Sequence, residues 1–140
     1  FRTFSKIYGM AGVRVGYALT SPSLVDHFIK SSHAWNLSFI GQKSAAEAMK
    51  DQEYVAKIRD YMATARVEVT EKLRSLGCTV WDSQANFLLF KCALDPKTVC
   101  QELEKEKIQI GAPIGCNRVS LGTPEMNEKF LSVMEKILNK

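Results

Sequence analysis

No apolar run in this sequence approaches the roughly 20 residues a helix needs to cross a bilayer. No basic-then-apolar leader with a small-residue cleavage site is present either. A membrane is therefore not an expected partner, and the reading is of a soluble, cytoplasmic protein. The chain opens on Phe1 rather than methionine, as a piece of a longer chain does, so an upstream targeting segment stays open. Histidine is scarce: His27 and His33 have no companions at ligand spacing, so no metal site is expected. Cys78, Cys92, Cys100 and Cys116 form no C-x-x-C pair. A chain with this much apolar residue does not need disulfides, so four reduced thiols are expected. No basic patch interleaved with aromatics exists, which argues against nucleic acid.

What is present is an ordinary globular composition. The 140 residues are 46% hydrophobic, enough for one packed domain or part of a larger one. The net charge of +4 is spread along the chain, and "ELEKEK" mixes signs as a solvated helix face does. Three of the four prolines follow a capping residue, in "SPSLV", "DPKTV" and "TPEMN". A cap oxygen satisfies orphan N–H groups, and proline has no N–H to leave unpaired at the next position. Helices are thus predicted to start at Ser21, Asp95 and Thr123. Glu125 meets the positive end of the last one, and Met126, Phe130, Met134 and Ile137 give it an apolar face.

Val55, Ile58, Met62, Ala65, Val69, Leu73 and Leu76 form one helical stripe over about 52–76, ended by Gly77 as a left-handed cap. A core-packing helix is the reading, with a short coiled coil as the alternative. Another helix covers "IGQKSAAEAMK". "VRVGYAL" alternates as a strand, with Val13, Val15, Tyr17 and Leu19 on one face. "CTVW", "NFLLFKC", "IQI" and "RVSLG" also read as strands. From Gly77 the predicted order is strand, strand, helix, strand, strand, helix, a layer of strands backed by helices.

The chemistry is concentrated at the start, in "TFSKIYGMAGVRVGY". Lys6 precedes the glycines, so this is not a P-loop, and Gly9, Gly12 and Gly16 miss the dinucleotide-binding spacing. Thr3, Ser5 and Arg14 can together hold a phosphate, the arginine through its planar fork. Lys6 beside such a site could reach an aldehyde on the same ligand, and pyridoxal phosphate is a ligand of that kind. Spacing alone leaves a plain alternative: a surface lysine and arginine flanking a strand.

"TFSKIYGMAGVRVGY", with its arginine eight positions after the lysine, resembles the lysine region of fold type I pyridoxal-phosphate aminotransferases. The resemblance is nearest to the histidinol-phosphate aminotransferase branch and continues through "AWNLSFIGQKSAAEAM", "ANFLLF" and "NRVSLGTPEMNEKFL". It implies an α/β fold, the C-terminal part of a type I transferase. Residues 1–50 would end the large cofactor domain, 51–76 would be the connecting helix, and 77–140 a small α+β domain. It implies Lys6 as the catalytic, cofactor-bearing lysine and Arg14 as the partner of the cofactor phosphate. Thr3 and Ser5 would add phosphate hydrogen bonds, and Arg118 would bind the substrate carboxylate.

The strand phase of Arg118 agrees, because Val119 and Leu121 would face the core and Arg118 the other way. Asn86 borders the site without an assigned role, and Tyr8 reads as a packing residue. The family implies amino-acid and 2-oxo-acid substrates and a homodimer. Its chains are longer than this one. The remainder carries the aspartate for the pyridine nitrogen, the ring-stacking aromatic and the groups at the cofactor O3′. One departure stands out: Gly111, after "IQI", occupies a position where the branch places an arginine for the substrate phosphate. A related decarboxylase or lyase, such as threonine-phosphate decarboxylase, shares the lysine motif. A non-catalytic packing or dimerisation module is the reading of a different class.

Overall fold

The computed structural model describes residues 1–139. The chain divides into two compact units, Phe1–Arg59 and a second that begins at Asp60. In the first unit two short strands, β1 (Arg2–Thr3) and β2 (Gly16–Tyr17), pair antiparallel, followed by helices α1 (Pro22–Ser31) and α2 (Phe39–Ala48). Helix α3 (Gln52–Ser75) starts in this unit and continues into the second. The second unit then holds β3 (Thr79–Val80), β4 (Phe87–Lys91), α4 (Pro96–Lys105), β5 (Asn117–Ser120) and α5 (Pro124–Leu138).

The capped helix starts are where the S/D/T-Pro pattern put them. Asp95 accepts the N–H groups of Lys97 and Thr98, and Thr123 accepts that of Met126. The Thr123 hydroxyl, and then the Glu125 backbone, hold the Glu125 carboxyl below the usual carboxylate range. Ser21 departs from the pattern. Its hydroxyl pairs with that of Ser23, and no side-chain cap bond forms. Helix α3 carries its stripe as predicted, with Ala65, Val69 and Leu73 buried. It stops where Gly77 takes φ +81°, a conformation that a Cβ disfavours.

In the second unit β3, β4 and β5 form an antiparallel sheet in that order, with Val80 opposite Phe90 and Leu88 opposite Val119. Alternation sends Val80, Leu88, Phe90, Val119 and Leu121 to one face. There they pack with Val69 and Leu73 of α3, Val99 and Leu103 of α4, and Phe130 and Met134 of α5. Each fully buried Leu or Phe contributes about 1.5–3 kcal/mol, so this face holds the unit together. Tyr61, Gly122 and Asn127 lock the end of β5: the Tyr61 hydroxyl donates to the Gly122 carbonyl (2.7 Å), and Asn127 accepts the Gly122 N–H (2.9 Å). Burial, then Glu125 and Glu68, raise the Tyr61 phenol above its ordinary range.

Three strand and face predictions need correction. "IQI" is not a strand. Only Gly111 bridges to Arg118, and Lys107 just before takes φ +60°, which bends the approach. "VRVGYAL" is a strand only at Gly16–Tyr17. Val13 lies in a 3₁₀ turn (Ala11–Val13), Arg14 is left-handed at φ 59°, and Leu19 is 88% exposed. Period-2 alternation was satisfied in sequence, but the left-handed residue interrupts the pleat. Met126 is exposed rather than part of the buried face of α5, where Val133 joins Phe130, Met134 and Ile137 instead.

The two units differ in how much they bury. The second has a continuous cluster of fifteen buried residues, the first only Phe4, Val15 and Ala45. Helix α1 buries none of its residues, and Leu24, Phe28 and Ile29 are exposed. Hydrogen exchange on this 140-residue chain should therefore find slow amides in β4 and β5 and fast exchange in residues 13–31. The chain should bind pyridoxal phosphate only weakly and should associate or fray at its N-terminal third. Strong protection of residues 13–19 in a monomer would contradict this.

Candidate active site

The first cluster is built by the β1–β2 pairing. Arg2 faces Tyr17 and Thr3 faces Gly16; the Phe4 N–H then donates to the Val15 carbonyl (3.1 Å). Phe4 and Val15 point into the small core; Ser5, which follows Phe4, and Arg14, which precedes Val15, flank that contact in the loop joining the two strands. Helix α2 supports the pairing from behind. A Cβ on Gly41 would lie 2.9 Å from Val15 Cγ2 and 3.2 Å from Val13 Cγ1, so only glycine lets the helix come this close.

Lys6 lies at the turn that follows. Its carbonyl accepts the Gly9 N–H (2.9 Å), and its exposed ammonium makes no hydrogen bond or ion pair with a described residue. Thr3 Oγ1 accepts the Ser5 N–H (3.0 Å), which leaves its own O–H to donate elsewhere. Arg14 is held by one guanidinium N–H on the Ala11 carbonyl (2.9 Å), with the remaining donors unused. Its left-handed backbone costs about 1 kcal/mol or more, and such strain concentrates at functional positions. Hydroxyls and a tethered fork at the ends of one short loop are donors of the kind an oxyanion such as phosphate accepts, and Lys6 lies in the same loop. Tyr8 packs on Phe4, with ring centroids 4.8 Å apart.

Arg118 is placed by the sheet of the second unit. It sits on β5 opposite Leu89, half-buried, on the face away from the helices, and Gly111 flanks it on the other side through two backbone bonds (2.8 and 3.0 Å). Its guanidinium carbon lies 4.1 Å from the centroid of the Phe87 ring. This stacking fixes the plane of the fork while leaving its N–H edges open, as bidentate recognition of a carboxylate requires. The Asn86 carbonyl accepts the Leu121 N–H (3.0 Å) and so fixes the far end of the same strand pair.

Two contributors were not legible in the sequence. Phe87 was read only as strand core, yet its ring serves the outer face. Asn117, fully buried, donates to the Pro96 carbonyl (2.9 Å) and to Cys100 Sγ (3.6 Å), pinning β5 beside Arg118 to the start of α4. Inward strand phase beside Arg118 was the available signal for Asn117. Lys6 with its neighbours and Arg118 lie in different units. Among the described residues no group of three or more His, Cys, Asp or Glu could hold a metal. No helix there is long and apolar enough to cross a membrane.

The chain belongs to the aminotransferase class I and II family, whose sequence signature matches residues 1–134. Among curated relatives, the histidinol-phosphate aminotransferase of Brevibacillus brevis is 35% identical over 98% of this chain and 39% of its own length. Histidinol-phosphate aminotransferase 2 of Pseudomonas aeruginosa is 32% identical over 98% of this chain and 38% of its own. The solved histidinol-phosphate aminotransferase of Sinorhizobium meliloti, in complex with pyridoxal-5′-phosphate, superposes with a TM-score of 0.86. It is 26% identical, and the match covers 99% of this chain and 40% of that one. The α/β fold is thus that of type I aminotransferases, and the chain spans about two fifths of the curated relatives it matches.

Proposed function

We propose that this chain is the C-terminal part of a pyridoxal-phosphate-dependent aminotransferase that moves an amino group between an amino acid and a 2-oxo acid. The observation that supports the reading is the Phe4 N–H to Val15 carbonyl bond, which closes the loop holding Ser5, Lys6 and Arg14 beside Thr3 of β1. Residues 1–50 end the large domain, 51–76 form the connecting helix and 77–140 the small domain. The parent protein works as a cytoplasmic homodimer.

When bound, the cofactor supplies an aldehyde that captures amino groups and a ring that draws electrons from the substrate α-carbon. The residues of this chain do the rest. Arg14 clamps the cofactor phosphate through its free N–H donors, and Thr3 and Ser5 add hydroxyl donors. Lys6 would hold the cofactor through its Nζ, and the same amine, when free, would act as general base toward the α-proton. Arg118 would hold the substrate α-carboxylate through its fork. Phe87 keeps the Arg118 fork in plane. The lyase or decarboxylase alternative uses the same lysine, and the bond broken at the α-carbon separates the two readings. Release of a 2-oxo acid and uptake of the amino group by a second 2-oxo acid is the deciding assay; release of CO₂ without amino transfer would decide against us.

Gly111 bears on the substrate. A Cβ there would meet Pro113 Cδ at 3.7 Å and Arg118 Cβ at 3.9 Å, ordinary contacts, so a side chain beside Arg118 is sterically allowed. None is present. A phosphate stripped of water without a second guanidinium is poorly held. The parent should therefore show higher kcat/KM for an unphosphorylated amino acid than for histidinol phosphate, and Gly111→Arg should move the ratio toward the phosphorylated substrate. A clear preference for histidinol phosphate in the unmodified protein would mean that another residue supplies the charge.

A further inference from the structure

We propose that Cys78 and Cys92 form an oxidative modification site: a cross-strand thiol pair that a small-molecule disulfide, such as oxidised glutathione, converts into an intrachain disulfide. The argument begins with register. Thr79 pairs with Lys91 and Val80 with Phe90, so Cys78 and Cys92 are the next pair outward, at the open end of the β3–β4 hairpin.

The kind of pair follows from one hydrogen bond. The Trp81 N–H donates to the Leu89 carbonyl (3.2 Å), and these residues are opposed in the same register. They are a hydrogen-bonded pair, and antiparallel pairs alternate. Thr79–Lys91 is then also hydrogen-bonded, whereas Val80–Phe90 and Cys78–Cys92 are not. Non-hydrogen-bonded partners have the closer Cα atoms, about 4.5 Å, with side chains directed at one another. That separation falls inside the range a disulfide spans, roughly 4.4–6.8 Å.

The side chains agree. Cys78 belongs to the buried cluster and Cys92 packs against it, so both thiols lie on the inner face with Val80 and Phe90. Burial first, and then the neighbouring Cys92 thiol, push the Cys78 thiol up to about 11. Cys100 donates to the Ile110 carbonyl and Cys116 to the Pro113 carbonyl (3.6 and 3.1 Å), and Cys92 itself makes a long contact to the Leu94 carbonyl (3.9 Å). The register, not these bonds, singles out Cys78 and Cys92.

Access orders the chemistry. Cys92 is half-buried and Cys78 only 6% exposed, so reagent reaches Cys92 first. The Cys92 thiolate attacks one sulfur of the reagent; a Cys92–S–S–R bond forms, the reagent S–S bond breaks and one RS⁻ leaves. Cys78 gives up its proton and attacks Cys92 Sγ, expelling the second RS⁻. The two cysteines are oxidised by two electrons, the reagent is reduced to two thiols, and the two cysteine protons end on them. Attack by Cys78 is the slow step, and its rate rises with pH as more of the buried thiol ionises.

The test uses the 140-residue chain with oxidised glutathione and no denaturant, followed by alkylation and trypsin. Cleavage after Arg74, Lys91 and Lys97 places Cys78 in peptide 75–91 and Cys92 in 92–97, with Cys100 and Cys116 in other peptides. The expected result is a 75–91/92–97 linked pair, 2 Da lighter than the two reduced peptides combined, reversed by dithiothreitol. Cys92→Ser should abolish it and keep the fold, while the Cys100→Ser, Cys116→Ser double variant should still form it. The oxidised chain should also melt several degrees higher, since the bond closes the hairpin. A Cys92–glutathione adduct that never closes would overturn the proposal, as would linkages to Cys100 or Cys116 forming as readily as the 75–91/92–97 pair under native conditions.

Discussion

Borohydride reduction of the full-length parent should fix pyridoxal phosphate on Lys6. The adduct should appear in the tryptic peptide 3–14, with cleavage at Lys6 lost. Lys6 is exposed at the turn, and among the described residues its ammonium makes no hydrogen bond or ion pair. Lys6→Ala should preserve folding, because the side chain contributes nothing to the Phe4–Val15–Ala45 cluster. It should lower kcat by about 10³-fold or more, since the covalent attachment and the proton carrier are lost together. The labelling result does not depend on turnover: an adduct on Lys43, in peptide 31–50 with cleavage at Lys43 lost, would displace Lys6 from its role whatever the kinetics.

Arg118→Lys in the parent should weaken substrate binding by about 1–3 kcal/mol, roughly 5- to 150-fold in KM, and leave the absorbance of the bound cofactor unchanged. Lysine keeps the charge but presents a point donor where a carboxylate needs a fork. Phe87→Ala should act in the same direction and less strongly, because the guanidinium loses its stacking plane and keeps its charge; stacking of this kind contributes about 0.5–2 kcal/mol. Phe87→Tyr should restore most of the loss, which a purely structural role for Phe87 would not explain. Unchanged KM and kcat in Arg118→Lys would show that another group holds the carboxylate.

The elements that could be read from the sequence are those fixed by local rules. Ser21, Asp95 and Thr123 each precede a proline, and helices begin there: the absent proline N–H acts within one turn at all three, joined by a side-chain cap at Asp95 and Thr123. The stripe from Val55 to Leu73 and the cap at Gly77 gave α3 for a similar reason. "NFLLFK" and "NRVS" alternate and form β4 and β5, and the phase of Val119 and Leu121 alone sends Arg118 to the outer face. The lysine–arginine spacing identified the family, which fifteen residues of dense chemistry make legible without coordinates.

Only the tertiary structure decided the rest. "VRVGYAL" and "IQI" carry strand-like residues, but a strand exists only where a neighbour accepts its backbone, and Arg14 and Lys107 take left-handed conformations that break the pleat. Sequence placed Ser5 and Arg14 nine positions apart; the bond from the Phe4 N–H to the Val15 carbonyl brings their chain neighbours together. The Phe87 ring under Arg118 and the thiols of Cys78 and Cys92 are cross-strand neighbours, and cross-strand neighbours are set by register. Local sequence fixes turns and periods through interactions four residues long. Which residues meet across a sheet depends on loop closure and core packing summed over the whole unit, and no short stretch of sequence contains that sum.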